Sequence, residues 1–174
     1  MRKMIGLVMM GVVCCSLVAT GQAQTKTVHF KELQKFLPTM DVPGFTKGKP
    51  GGQTSSVMGM STSEATLRYG RDEESLEISI QDMAGIPFAS MGASLMGAAE
   101  FENQTDDGYE KSVKIQGFAG TEKVETGENK SAEINLFIAN RFMVKVSSSG
   151  LSDASLLRKL IDGMNLSGLA KLTQ

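Results

Sequence analysis

Two stretches of this chain place an apolar residue at every second position. Leu76, Ile78 and Ile80 alternate with Glu77, Ser79 and Gln81, and Ala132, Ile134, Leu136 and Ile138 alternate with Glu133, Asn135, Phe137 and Ala139. A two-residue period sends successive side chains to opposite faces of a strand, so each stretch calls for a sheet with one face on a core. The other face is mostly polar, as in antiparallel sheets; parallel strands, covered on both sides, read as continuous apolar runs. An antiparallel sheet is therefore the frame on which the remaining segments have to be placed.

The first stretch has a partner just upstream. Over residues 64–69, Ala65, Leu67 and Tyr69 share one face while Glu64, Thr66 and Arg68 share the other. A loop over 70–73 would set Leu67 opposite Leu76 and Ala65 opposite Ile78, so that the apolar faces coincide in a β-hairpin. Residues 109–116 and 121–126 read as further strands, bounded by turns at 103–108 and 127–130. The second stretch, 131–139, forms a hairpin with 142–147 around Asn140-Arg141, and two registers are open. A two-residue loop pairs Ala139 with Phe142 and leaves apolar residues on both faces. A three-residue loop pairing Ile138 with Val144 and Leu136 with Val146 gathers them on one. Ile134, Leu136, Ile138, Val144 and Val146 are core residues under both.

Helical spacing appears three times. Phe30, Leu33, Phe36 and Leu37 give a short amphipathic helix over 28–37 that Pro38 ends. Residues 38–56 then hold three of the 4 Pro together with Gly44, Gly48, Gly51 and Gly52, and read as a long irregular strap. Residues 83–99 run without a charge, with Pro87 suited to a first turn and Phe88, Met91, Leu95 and Ala98 on one side. Ser152 is placed to cap a last helix whose stripe is Leu156, Leu157, Leu160, Ile161 and Met164. The expected fold class is α+β: an antiparallel sheet of about five or six strands covered by two main helices plus a short N-terminal helix. The expected division is a leader over 1–23, a helix and Pro/Gly-rich loop over 24–56, and the α+β domain over 57–174.

The leader is read from its charge and its small residues. Arg2 and Lys3 precede an uncharged run over 5–18, and Gly21 and Ala23 satisfy the small-x-small rule, so cleavage is expected after Ala23. The chain is then exported, to a periplasm or beyond. The run is shorter than the about 20 residues a membrane helix needs. Both Cys residues, Cys14 and Cys15, lie inside it, and their upstream residues do not fit a lipoprotein signal, which disfavours a lipid anchor. Cleavage removes Arg2, Lys3 and both Cys, leaving a chain free of thiol and disulfide chemistry and moving the net charge from −1 to −3. An acidic chain of this kind is not expected to bind nucleic acid.

The sequence fails the catalytic motifs one by one. The chain has 1 His, His29, which reads as a surface residue and cannot build a multi-His metal site. The sequence Gly92-Ala93-Ser94-Leu95-Met96-Gly97 has Met96 where a nucleophile elbow needs Gly. Gly51-Gly52-Gln53 lacks the Lys of a phosphate loop, and a calcium loop begun at Asn103 would end on Lys114 rather than Glu. No catalytic, cofactor-binding or metal-binding residue is assigned. The segment least explained as routine is 83–101, where Met83, Phe88, Met91, Leu95 and Met96 could line an adaptable apolar pocket. The reading is an exported, non-enzymatic binding or accessory protein, with another envelope protein or a small hydrophobic ligand as its expected partner. The alternatives are a carrier of a lipid or small hydrophobe using that Met-rich segment, and a hydrolase built on carboxylates alone.

Leu37-Pro38, Pro43-Gly44-Phe45, Arg68-Tyr69, the Leu76-x-Ile78-x-Ile80 strand, and Asn140-Arg141-Phe142-x-Val144-x-Val146 before a Leu-rich terminal helix form one succession. It resembles a widespread group of small secreted bacterial proteins of unknown function. The resemblance implies a layered sheet-and-helix domain similar to the PsbP-like fold, and it carries no catalytic residues across.

Overall fold

The computed structural model describes residues 26–57, 60–84 and 100–173. They form nine strands: β1 (Thr46–Lys47), β2 (Gly51–Val57), β3 (Met60–Arg71), β4 (Glu74–Asp82), β5 (Glu102–Thr105), β6 (Gly108–Ile115), β7 (Phe118–Glu125), β8 (Ser131–Ile138) and β9 (Phe142–Ser149). All pairings are antiparallel, in the order β1-β3-β4-β9-β8-β7-β6-β5, with β2 beside β1 on the free side of β3. Three short helices accompany them: α1 (Phe30–Leu33), α2 (Ala154–Asp162) and α3 (Leu166–Ala170).

This corrects the expected fold class of five or six strands under two main helices. Three strands are missing from that expectation: β1, only two residues long, and the edge strands β2 and β5, whose exposure leaves no apolar alternation in Gly51–Val57 or Glu102–Thr105. Gly51 to Val57, read as part of an irregular strap, is the longer of the two. Of the expected helices, α2 has 9 residues, while 85–99 lie outside the described residues.

Residues directly opposite on neighbouring strands share a face, and one cross-strand row shows how the core is laid down. Leu67, Ile78, Val146 and Ile134 stand side by side across β3, β4, β9 and β8, all buried. Leu33 of α1, Leu157, Leu160 and Ile161 of α2, and Leu166 and Leu169 of α3 close over them in a single apolar cluster. Each such side chain contributes about 1.5–3 kcal/mol by leaving water. Continued across β7, β6 and β5, the same row turns charged: Glu122, Lys111, Glu102.

Two hairpin registers differ from expectation. The β3–β4 turn is Asp72-Glu73, with Asp72 at φ +50, which pairs Leu67 with Ile78 and Tyr69 with Leu76. That is two residues from the expected register, so the faces are kept and only the partners change. The β8–β9 loop is three residues long, with Ala139 and Asn140 at positive φ, and pairs Ile138 with Phe142 and Leu136 with Val144. The apolar residues do gather on one face, again two residues from the pairs expected for a loop of that length. The cap of α2 is Asp153 rather than Ser152: its carboxylate accepts the N–H groups of Ser155 and Leu156, at 2.9 and 3.3 Å.

Candidate binding edge

Of the expected pocket residues, Met83 is described. It is buried just beyond β4, and its N–H donates to the Arg141 carbonyl at 3.0 Å. Phe88, Met91, Leu95 and Met96 lie outside the described residues. His29 is exposed at the start of α1, where its Nδ1 accepts the Lys31 N–H at 3.3 Å and caps the helix.

Sequence reading missed two buried carboxylates, both on the core face of the sheet. Asp82, fully buried, receives Arg141 through both Nε and Nη2, at 2.9 and 2.8 Å. The N–H groups of Val28 and Ala84 complete its shell at 2.7 and 2.9 Å. Arg141 reaches on to the carbonyl of Lys26 at 2.9 Å, so the clasp ties the start of the described chain to the β4 and β9 ends. Glu122, 2% exposed, accepts the Tyr109 hydroxyl at 2.9 Å and lies 2.6 Å from Arg158 and 3.8 Å from Lys111. Burial first, and the Glu122 carboxylate second, push the Tyr109 hydroxyl above its ordinary pKa. The only sequence signal for either carboxylate was its position in the apolar phase of a strand, where a lone charge has to be paired.

These networks hold the fold, and their carboxylates are engaged by cations. Glu102 and Glu122 stand two strands apart on one face, the arrangement a carboxylate-only hydrolase would use, but Lys111 occupies the strand between them. At the turn end of the sheet, Asp72, Glu73, Glu74, Glu125 and Glu128 line an open cavity of about 820 Å³ together with Arg71 and Lys130. Arg71 is bonded to Glu74 at 2.7 Å.

The sheet edges differ sharply. β5 is four residues long, carries Glu102, and is flanked by Glu100, Asp106 and Asp107. Short length and charge are the usual guards against pairing with a foreign strand. β2 has seven residues with neither a charge nor a Pro among them, and everything from Gly52 to Val57 is exposed. Val57 keeps 61% of its surface in water.

The edge is held from behind. The Phe30 N–H donates to Thr54 Oγ1 at 3.1 Å, Gln34 Nε2 donates to the Gly51 carbonyl at 2.8 Å, and Thr54 shares a hydroxyl–hydroxyl bond with Ser63 at 2.8 Å. Gly52 permits this closeness. Its φ is +153, and a Cβ there would lie 2.4 Å from the Glu64 carbonyl and 2.9 Å from the Phe30 ring. A strand so fixed presents its outward N–H and C=O groups preorganised for one more strand. Comparison of the chain with known protein families, with curated proteins and with solved structures finds no match.

Proposed function

We propose that this is an exported, non-enzymatic binding or accessory protein of the cell envelope, and that it binds by accepting a strand on the β2 edge. The observation that carries the reading is the contrast between the edges: seven uncharged, exposed residues on β2 against four acid-flanked ones on β5. Export is supported by the leader-like sequence over 1–23, and an acidic exported chain belongs among envelope or extracellular partners. Among the described residues the cavities are lined largely by polar side chains, and it is the β2 edge that supports a protein partner.

A photo-crosslinking residue placed at Gln53 in the host cell tests this. An adduct from position 53, with none from Glu133 in the middle of the sheet, is the expected result. Adducts from position 133 but not from 53 would overturn it. Mass spectrometry of the same sample should give a chain beginning at Gln24; retention of Met1 would remove export from the reading.

A further inference from the structure

Resting on the reading of β2 as the binding edge, we propose that its occupant is a second copy of this chain, with the second β2 running antiparallel to the first about a two-fold axis through Thr54. In this register Gly51 faces Val57 of the second copy, Gly52 faces Ser56, Gln53 faces Ser55, and Thr54 faces its counterpart.

Three features of the strand favour this pairing. β2 is uncharged, so copying it onto itself brings no like charges together, whereas two β5 edges would join Glu100, Glu102, Asp106 and Asp107 to an identical acidic set. The strand is also complementary to itself in bulk. Exposed Val57 falls opposite Gly51, and Ser56 falls opposite Gly52, neither of which has a side chain. Finally, Pro50 immediately precedes the strand and has no N–H, so the ladder stops at Gly51. A centre at Thr54 uses all seven residues; a shift to Gln53 or Ser55 forfeits two and places Val57 opposite something other than glycine. Such a contact is isologous and closes at two copies, with the two nine-stranded sheets continuing as one and the acid-flanked β5 edges left outermost.

One strand pair buries far less than the ~1,200–2,000 Å² of a standard interface, which makes this a weak contact to be followed from about 1 to 100 μM. Sedimentation of the chain recovered from its host, across that range, should show monomer passing to dimer and no larger species. Ser55→Lys places a charge on the edge and should abolish the dimer, with an unchanged thermal melt showing that the fold is intact. Glu102→Lys on the far edge should leave the dimer as it is. Register is read by mixing Gln53→Cys with Ser55→Cys, which should form a mixed disulfide more readily than either variant with itself. A chain that stays monomeric throughout, a dimer that survives Ser55→Lys, or open-ended polymers would each overturn the proposal. If the pure chain is monomeric while Gln53 crosslinks to a different protein in the host, self-pairing fails and the binding-edge reading stands. If Gln53 crosslinks to nothing, both fall.

Discussion

Single residues carry consequences here out of proportion to their number, because two carboxylates sit where the apolar face should be. Asp82 is fully buried and bonded on every side, so an amide in its place keeps one accepting oxygen, loses the other and leaves the Arg141 guanidinium without its counter-charge. Asp82→Asn should cost about 3–5 kcal/mol in urea unfolding, the usual penalty for breaking a buried pair from one side. The double variant Asp82→Asn with Arg141→Met should cost less than the two single changes together. The two tyrosines report on the rest of the face. Tyr69 is raised above its ordinary pKa by burial and then by the charge of Asp41, and Tyr109 by burial and then by Glu122. A raised folded value means that the unfolded chain releases its protons first. The contribution is therefore whole below pH of about 10 and is lost as pH climbs through the folded values. Ultraviolet titration of the native protein should show no tyrosine ionising at the midpoint of the urea-unfolded chain; two normal tyrosines would show that neither ring is placed as described.

At the level of elements, what the sequence displays is a matter of which faces are buried. β4, β8 and β9 are central and alternate cleanly, so Ile78, Ile134, Leu136, Val144 and Val146 were legible as core and are all buried. β2 and β5 bury neither face, leaving propensity alone, and a Gly-Gly-Gln-Thr-Ser-Ser run has little of that. Hairpin partners were misjudged by two residues because turn geometry, not the apolar pattern, selects among registers that keep the same face. Asp82 and Glu122 were missed because Arg141 and Arg158 come from distant parts of the chain. The cap of α2 shows the same limit at close range: Ser152 and Asp153 both suit an N-cap, and the backbone chooses Asp153. Asp153→Ala should destabilise by about 0.5–2 kcal/mol while Ser152→Ala changes little. Hydrogen bonds from the Ser155 hydroxyl, and then from the backbone, hold the Asp153 carboxyl below its ordinary pKa. The cap's contribution is thus present above the usual Asp range and fades as pH falls through the lowered value, a fade that Asp153→Asn should lack. Equal melts for the Ser152 and Asp153 variants across that range would refute the assignment.

Taken whole, the sheet is two meanders joined at one seam. β1 to β4 form the first and β5 to β9 the second, and among the described residues the only strand pairing between them is β4 with β9, where Ile78 meets Val146 and Asp82 meets Phe142. The seam lies at the centre of the core, and Asp82–Arg141 bonds the two meanders again at its end. α1 sits on the first meander and α2 and α3 on the second, but Leu33, Leu157 and Leu166 belong to one cluster. Neither half can expose its side of that cluster without exposing the other's, so the described residues should unfold in one step. The molecule provides its own reporters: it has no Trp, and its 2 Tyr fall one in each half, Tyr69 on β3 and Tyr109 on β6. Tyr109→Phe leaves a fluorescence signal from the first meander, and Tyr69→Phe leaves one from the second. Within each variant, the tyrosine melt should coincide with the loss of far-ultraviolet circular dichroism, whatever that variant's own stability. Should the Tyr109 signal run ahead of the dichroism, the β5–β7 end would be opening as a separate unit, and the charged row Glu122-Lys111-Glu102 would mark where the cooperative core stops.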